Sequence, residues 1–364
     1  MSSARSRSML CSSIPVRSLG VLAAIAIVAA ALAFLVKDKF YLHVLIMMLF
    51  YAAASSAWNI VGGFAGQLSL GHAAFFGIGA YTSTLLFIDR GISPWVGMLI
   101  GGALAAVVAG AIGYPSFRLR GPFFTLVTIA FAEVLRIVTL YAHDLTRGSM
   151  GISVPFRPAL RNFVFRGLSN YAYVALAFMV ITVLVNLWIE NSRLGYYLAA
   201  LREDEDAAHA LGIDTTRYKL VAVLVSAFFT ALAGTFYAQY IFYIEPFATF
   251  SLDFSVLLAM MAIIGGIGTV WGPVAGAFLV TPLQEVLRAK LGGEMQGLHL
   301  VVYGAVLIVV VILLPQGIVP SLAALGKRAF GQRELAHGAQ PQTGADVANG
   351  GGDESRAASL KGDS

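Results

Sequence analysis

Two ionisable residues, Glu133 and Arg136, stand three positions apart in an otherwise apolar stretch of the sequence. On a helix, residues at i and i+3 are neighbours, so a carboxylate and a guanidinium at this spacing can form an ion pair. Ionisable groups within a membrane-embedded helix are rare and frequently functional. We interpret the two residues as an intramembrane ion pair that neutralises itself and supports the structure. A part in gating is the alternative.

A second group of polar residues lies in the glycine-rich stretch from Trp58 to Tyr81. Glycines allow close helix packing in a membrane, and they also permit a broken helix whose ends face a substrate. A further glycine-rich break includes Gly265, Gly266, Gly268, Gly272 and Gly276. Beside a purely structural use of the glycines, we predict that residues of both breaks line a translocation path: Gln67, Ser69, His72, Gly265 and Gly266. His72 taken alone is better explained as a hydrogen-bonded structural residue than as a ligand.

Segment 191–219 carries an acidic run followed by alanines. We predict a helix from Arg202 to Leu211, because acidic side chains near its start complement the helix dipole and Gly212 follows as a terminator. At 1.5 Å per residue this helix would be a rod of about 15 Å. The apolar face of this helix would suit close docking against another protein. This face consists of Ala207, Ala210 and Leu211. A solvated connector between two spans is the plainer interpretation.

The composition places the chain in a membrane. Of its 364 residues, 58% are apolar and 12% are charged, and that charged fraction is about half that of an ordinary soluble domain. A water-soluble enzyme of this composition would have too few charges to cover its surface. A net charge of +5 without a basic run interleaved with aromatics argues against a nucleic-acid partner. The single cysteine, Cys11, excludes a disulfide scaffold.

Long charge-free stretches predict the spanning elements. A helix needs about 20 apolar residues to cross a bilayer, and helices satisfy their own backbone groups where no water is present. We predict an all-α, polytopic helical membrane protein with about ten transmembrane helices, some of them broken at glycines. The predicted spans are 19–36, 41–61, 65–88, 95–117, 122–141, 171–190, 220–243, 253–269, 271–288 and 298–316. The stretch 253–288 could instead be one long tilted helix.

Basic residues predict the orientation, since Lys and Arg accumulate in short cytoplasmic loops. Ten spans place the leader, the loop at Arg118 and Arg120, segment 191–219 and the C-terminal tail inside. The basic residues of the leader are Arg5, Arg7 and Arg17, and those of the tail include Lys327, Arg328 and Arg333. Segment 142–170 falls outside despite four arginines, which long loops tolerate. The first span is expected to be retained rather than cleaved as a signal peptide, because its apolar core is long and another apolar run follows.

The sequence contains no motif that would support catalysis. No H-E-x-x-H, G-x-S-x-G or Cys/His metal spacing occurs, and a G-x-x-x-x-G-K-[ST] phosphate loop is missing. We therefore predict no catalytic residue, no metal site and no cofactor. If transport is driven by ATP, the ATPase has to be a separate chain.

Three stretches resemble the LivM-type permeases of branched-chain amino acid ABC importers. They are AWNIVGGFAGQLSLGHAAFFGIGAY at 57–81, RLRGPFFTLVTIAFAEVLR at 118–136, and the region from SRLGYYLAALREDEDAAHALGIDTTRYKL at 192 to IIGGIGTVWGPVAGAFLV ending at 280. The third also resembles the EAA-type coupling loop of ABC permeases, with Asp206 in place of the usual Glu and without the downstream Ile-x-Leu-Pro. Together the likeness covers nearly all of 40–316.

The resemblance implies a transport subunit without an ATPase site of its own, in a bacterial inner membrane. Its implied partners are a homologous LivH-type permease, two ABC ATPases, a periplasmic binding protein and membrane lipid. Charge and composition predict a cytoplasmic leader at 1–18 and a disordered cytoplasmic tail at 321–364. Between them we predict a transmembrane permease domain at 19–320 with a coupling loop at 191–219. The residues expected to couple to the ATPase are Arg202, Glu203, Asp206, Ala207, Ala208, Leu211 and Gly212.

Other functions stay open at this point. Urea and short-chain amide permeases resemble LivM-type chains, and no residue separates them from amino acid permeases. A stand-alone secondary transporter or channel would need ion-coupling carboxylates or a continuous polar pore. Segment 142–170 is a candidate docking or gate region for a substrate-delivering protein, and its residues of interest are Arg147, Gly148, Ser149 and Gly151.

Overall fold

The computed structural model describes residues 15–117, 119, 121–291 and 298–324, which are almost entirely helical. The predictions for residues 1–14, for Arg118 and Arg120, and for 325–364 lie outside these ranges. The long helices are α1 (Val16–Leu35), α2 (Lys39–Asn59), α3 (His72–Arg90), α4 (Pro94–Ser116), α5 (Pro122–Tyr141), α7 (Leu168–Glu190), α10 (Thr215–Ile241), α12 (Leu252–Gly266), α13 (Gly272–Leu291) and α14 (Leu298–Leu313).

Shorter elements connect the long helices. They are α6 (His143–Thr146), α8 (Arg193–Glu203), α9 (Glu205–Ala210) and α11 (Pro246–Thr249), together with strands β1 (Ile152–Ser153) and β2 (Tyr243–Ile244). The two strands pair antiparallel, with Ile152 opposite Ile244. The all-α polytopic class predicted from the sequence is confirmed.

Each predicted span corresponds to one long helix, but the boundaries differ. Seven segments of the described chain are long and apolar enough to cross a membrane: Val16–Leu35, Lys39–Phe64, Pro94–Ser116, Pro122–Tyr141, Leu168–Glu190, Thr215–Ile241 and Pro246–Gly266. Helices α3, α13 and α14 are outside that group, so ten crossings remain a prediction. Stretch 253–288 forms two helices, since α12 ends at Gly266 and α13 begins at Gly272.

Helix α2 forms the centre of the bundle. It is apolar or small on every side, and 89% of its spanning window is buried against α7, α10, α12 and α13. A helix without a polar face is typical of an element enclosed by other helices. Helix α10 packs against α3 and α4 on the neighbouring side.

Glycine sets the distance between α3 and α10. A Cβ atom at Gly79 would overlap the backbone of Ala231, and one at Gly234 would overlap the carbonyl oxygen of Phe76. Membrane helices without large side chains at the contact approach closely and gain dispersion energy. This contact holds the two parallel helices in a fixed register, in which Thr235 donates to the Gly79 carbonyl oxygen at 3.1 Å.

The bundle has two distinguishable ends. At one, which we call the break end, Gly63 of the first glycine-rich stretch and Gly268 of the second lie next to Arg202. At the other, the strand end, β1 pairs with β2 and the Trp95 indole donates to the Leu160 carbonyl oxygen at 2.8 Å. Segments 142–167 and 191–214 therefore lie at opposite ends, as the predicted orientation requires.

Candidate coupling and translocation site

The first glycine break interrupts the chain between α2 and α3. Helix α2 continues as a single π-helical turn at Ile60–Phe64, and residues 65–71 are not helical. The predicted span 65–88 is therefore wrong at its start, because the helix begins at His72. Side chains hold the open segment: the Thr125 hydroxyl donates to the Leu68 carbonyl oxygen at 2.7 Å, and the Leu70 amide donates to Thr128 Oγ1 at 3.1 Å.

The second break lies between α12 and α13. Gly266 and Gly268 have φ values of +126° and +74°, which side-chain-bearing residues rarely adopt. The Thr269 hydroxyl closes this turn, since it donates to the Gly266 carbonyl oxygen at 2.8 Å and accepts from the Gly272 amide at 3.0 Å. The turn therefore ends one helix and begins the next within five residues.

Asn59 joins the two breaks directly. Its side-chain amide donates to the Thr269 carbonyl oxygen at 3.0 Å, and its side-chain oxygen accepts from the Gly268 amide at 3.0 Å. Asn59 is fully buried, and buried backbone groups at a helix break need such partners. A Cβ atom at Gly63 would overlap the Asn59 side chain, so this junction also requires a glycine.

Arg202 connects the two joined breaks to segment 191–219. Its Nη1 donates to the Gly63 carbonyl oxygen at 3.3 Å. A Cβ atom at Gly66 would lie 2.8 Å from Arg202 Cγ, and one at Gly268 would overlap the guanidinium. The predicted coupling residue Arg202 therefore points inward at both glycine breaks, and it lies on α8 rather than on the short helix after it.

The predicted helix from Arg202 to Leu211 is in fact split in two. Helix α8 ends at Glu203, and Asp204 adopts an extended conformation that starts α9 at Glu205. The Asp204 carboxylate accepts from the amides of Asp206 and Ala207 at 2.9 and 3.0 Å, which is an N-cap. Helix α9 therefore has 6 residues and is shorter than the predicted rod of about 15 Å.

Helix α9 presents one face to the outside and one to the bundle. Ala207, Ala210 and Leu211 are exposed, and Leu211 has 82% of its surface accessible. Ala208, which we also placed among the coupling residues, is buried against the bundle. Gly212 follows with φ +84° in the left-handed conformation expected of a terminator.

A buried ion pair fixes α9 to α10. Lys219 Nζ lies 2.6 Å from Glu205 Oε2, and the Lys219 side chain is 2% exposed. A buried ammonium is tolerated where a carboxylate neutralises it. Asp214 caps α10 by accepting from the Arg217 amide at 3.0 Å, so α10 begins at Thr215, inside the predicted loop. Together these contacts make α9 a rigid appendage of α10.

The predicted path residues fall into two groups. Ser69, His72, Gly265 and Gly266 are buried within the protein core. His72 Nε2 lies 2.8 Å from the Ser226 hydroxyl, which donates to the Ala57 carbonyl oxygen at 2.7 Å. Because the Ser226 hydroxyl hydrogen is used in that bond, His72 Nε2 donates to the Ser226 oxygen. The bond joins α3 to α10. Gln67 differs, since it lines an open cavity of 430 Å³ together with Gly66, Leu68, Gly121, Pro122, Thr125 and Leu126.

Glu133 and Arg136 form the ion pair that their spacing predicts. Arg136 Nε donates to Glu133 Oε2 at 2.8 Å, and Nη2 bonds the other carboxylate oxygen. The guanidinium also lies 5.0 Å from the ring centroid of Phe247 on α11. The Glu133 side chain is 48% exposed, so the pair lies on the surface of this chain rather than inside the bundle.

Several important residues were not singled out from the sequence. Asn59 and Lys219 were overlooked, and their partners lie up to 210 residues away or in a separate helix. A polar side chain next to glycines was the available signal for Asn59. In the ranges that the structure describes, no group of three or more His, Cys, Asp or Glu could hold a metal ion.

Comparison with known proteins places the chain among transport permeases. Residues 40–311 match the family described as "Branched-chain amino acid transport system / permease component". The high-affinity branched-chain amino acid transport system permease protein LivM of Salmonella typhimurium is 29% identical over 334 residues, which is 85% of this chain and 77% of LivM.

Permeases of a second type also match. The high-affinity branched-chain amino acid transport system permease protein LivH of Escherichia coli is 26% identical over 286 residues, covering 74% of this chain and 90% of LivH. BraD of Pseudomonas aeruginosa, a permease protein named for the same kind of system, is 29% identical over 287 residues, with 74% and 91% covered. No solved structure matches the chain.

Proposed function

Since the chain belongs to the family of branched-chain amino acid transport permeases, we propose that it is the membrane-spanning subunit of an ATP-driven importer of these amino acids. It is a multi-pass membrane protein, and we place it in the cytoplasmic membrane of a bacterium with the break end inside. Basic residues of the leader and tail support this orientation. The proposed permease domain is 19–320, between a leader at 1–18 and a tail at 321–364.

The proposal rests on one observation, which is that segment 191–219 and both glycine breaks meet at Arg202. A short exposed helix that is tied to two broken membrane helices can pass a displacement from outside the bundle into the spans. Helix α9 would be pushed by a nucleotide-hydrolysing partner, and the Glu205–Lys219 pair would carry the motion into α10. Arg202 would carry it to the breaks at Gly63 and Gly268.

The proposed partners follow because the membrane-spanning chain and the nucleotide-hydrolysing subunits are separate proteins in this proposal. One of the two proposed ABC ATPases would bind the exposed face of α9, formed by Ala207, Ala210 and Leu211, and the other would bind the partner permease. Relatives named LivM and LivH both match this chain, which supports pairing with a homologous LivH-type permease. A periplasmic binding protein would deliver substrate at the strand end, where segment 142–167 exposes four arginines: Arg147, Arg157, Arg161 and Arg166.

Uptake by a reconstituted complex tests the function. Proteoliposomes containing this chain, its partner permease, both ATPases and the binding protein are expected to accumulate leucine, isoleucine and valine in an ATP-dependent manner. The same vesicles should not accumulate urea or acetamide. Vesicles with this chain alone should accumulate none of them. Uptake by the single chain would favour a stand-alone transporter, and uptake of urea or acetamide in place of the amino acids would favour a urea or amide permease.

Replacing Arg202 by methionine is expected to reduce ATP-dependent uptake about tenfold. The variant keeps an unbranched side chain but loses the hydrogen bond to Gly63, so a displacement of α8 and α9 no longer reaches both breaks. A factor of ten corresponds to about 1.4 kcal/mol, which is close to the lower end of the range for a hydrogen bond from a charged donor, about 1.5–3 kcal/mol. The initial uptake rate per assembled complex is the measurement.

Arg217→Met provides the matched control at the same end of the bundle. Arg217 is exposed, and its backbone amide rather than its side chain bonds Asp214. Uptake by this control should stay within twofold of the wild type. Equal uptake rates for Arg202→Met and Arg217→Met would remove Arg202 from the coupling route.

A further inference from the structure

Helix α5 is the least enclosed of the helices near the first break. It is 20 residues long and apolar enough to span a membrane, yet only 22% of its apolar segment is buried within the protein. Glu133 is its twelfth residue, so the Glu133–Arg136 pair lies about 17 Å along the helix axis. A hydrocarbon core is about 30 Å thick, which puts the pair close to the middle of the membrane.

A half-exposed charge pair at this depth does not suit a lipid-facing surface. A charged side chain at the bilayer centre is energetically unfavourable even on the more lenient scale. Charged residues within spans accordingly face a protein interior or a water-filled cavity. The Glu133 side chain is 48% exposed and that of Arg136 is 23% exposed. This face of α5 must therefore border water or another protein subunit.

The charge pair continues a surface that already opens at the break end. Leu126, Ala130, Glu133 and Ile137 are all exposed and follow one another at intervals of three or four residues, so they form one stripe along α5. The stripe begins in the 430 Å³ cavity that Leu126 and Gln67 both line. Ala130 has a small side chain one turn before Glu133, which leaves room beside the carboxylate.

The hydrogen bonding of the pair leaves capacity for a ligand. A guanidinium has five N–H donors and a carboxylate has about four acceptor positions, and the pair uses two of each. The contact with the Phe247 ring holds the guanidinium plane in a fixed orientation. A ligand with one cationic and one anionic group could bind both residues without separating them.

We propose that Glu133 and Arg136 bind the zwitterionic main-chain group of an α-amino acid as it moves along the exposed face of α5. The substrate carboxylate bonds the free N–H groups of Arg136, and the substrate ammonium bonds Glu133. The branched side chain packs against apolar residues of the stripe such as Ile137. The inference rests on the proposed function and adds the substrate chemistry, since a neutral urea or amide would gain little from a charge pair.

Uptake by a double variant tests the role of the charges. In the reconstituted complex, Glu133→Gln with Arg136→Met removes both charges together and leaves no unpaired ion. We expect branched-chain amino acid uptake to fall at least tenfold relative to the wild-type complex. Uptake within twofold of the wild type would overturn the proposal, because a purely structural, self-neutralised pair tolerates simultaneous neutralisation.

Thiol labelling tests the path and remains informative if the double variant fails to assemble. In a Cys11→Ser background, Ala130→Cys should react with a charged, membrane-impermeant methanethiosulfonate at least ten times faster than Ala23→Cys. Ala23 is an exposed alanine at a similar depth on α1. Equal labelling rates would overturn the proposal by placing α5 against lipid. If the wild-type complex transports no branched-chain amino acid, the proposed function fails instead, and that outcome is read from the wild type alone.

Discussion

Replacing Ala207 by arginine is expected to lower ATP-dependent uptake by about two orders of magnitude while the complex still reaches the membrane. Ala207 is exposed on the outer face of α9, so the new side chain creates no clash within the bundle. In a closely docked interface it would introduce a bulky, unpaired charge, and such a change commonly costs about 3 kcal/mol. ATP hydrolysis would then continue without transport.

Ala199→Arg is the matched control for this prediction. Ala199 is also an exposed alanine, but it belongs to α8, about one and a half turns before the Asp204 cap. Its variant should retain uptake within threefold of the wild type. If Ala199→Arg and Ala207→Arg lost uptake equally, docking would not be confined to α9. Unchanged, coupled uptake in Ala207→Arg would remove α9 from the mechanism.

Replacing Glu205 by glutamine is expected to release α9 from the bundle. Lys219 would keep its charge at 2% exposure without a carboxylate partner, and breaking a buried pair from one side costs about 3 kcal/mol or more. Local opening of α9 should therefore become at least about a hundredfold more frequent. Amide hydrogen exchange at residues 207–213 in the purified complex measures this change.

Two further variants test whether loss of the buried ion pair is the cause of faster exchange in α9. Glu203→Gln removes the carboxylate of the Arg202–Glu203 ion pair. In this pair 38% of the Arg202 side chain and 78% of the Glu203 side chain are accessible. Such a pair contributes about 1 kcal/mol or less, so exchange in α9 should change little. Glu205→Leu with Lys219→Met leaves no buried charge and should exchange more slowly than Glu205→Gln. If exchange in Glu205→Gln equals that of the wild type, the ion pair does not hold α9.

The order of helices could be predicted from the sequence because charge-free stretches are long and distinct. The break near Gly266 could also be located, since glycines cluster there in an apolar run. The start of α3 could not be, because residues 65–71 are held open by Thr125 and Thr128 of a different helix. Long-range hydrogen bonds of this kind leave no local pattern in the sequence.

The candidate site was predicted in part. The acidic run correctly marks a helix start, but four consecutive acids leave the capping residue ambiguous. Asp204 takes the position, as its short side chain reaches the amides two and three residues ahead, and Asp is a common N-cap residue. The inward direction of Arg202 and the burial of Ala208 depend on how α8 and α9 pack against the spans.

Asn59 shows where a single sequence gives least guidance. It follows a run of alanines and serines on the most buried helix, and nothing nearby in the sequence needs its amide group. Its role arises because the turn after α12, at Gly268 and Thr269, lies beside it in space, about 210 positions later. The two breaks could each be found from their glycines, whereas their meeting point could be found from the structure alone.

Photocrosslinking in the assembled complex shows whether α9 faces the nucleotide-hydrolysing partner. A benzophenone amino acid at Leu211, which is 82% exposed, is compared with the same probe at Met150, which is 83% exposed at the strand end. We expect a crosslink from position 211 to an ATPase subunit and none from position 150. An ATPase crosslink from position 150, or its absence at position 211 in a complex that contains the ATPases, would show that α9 is not the surface that docks the ATPase.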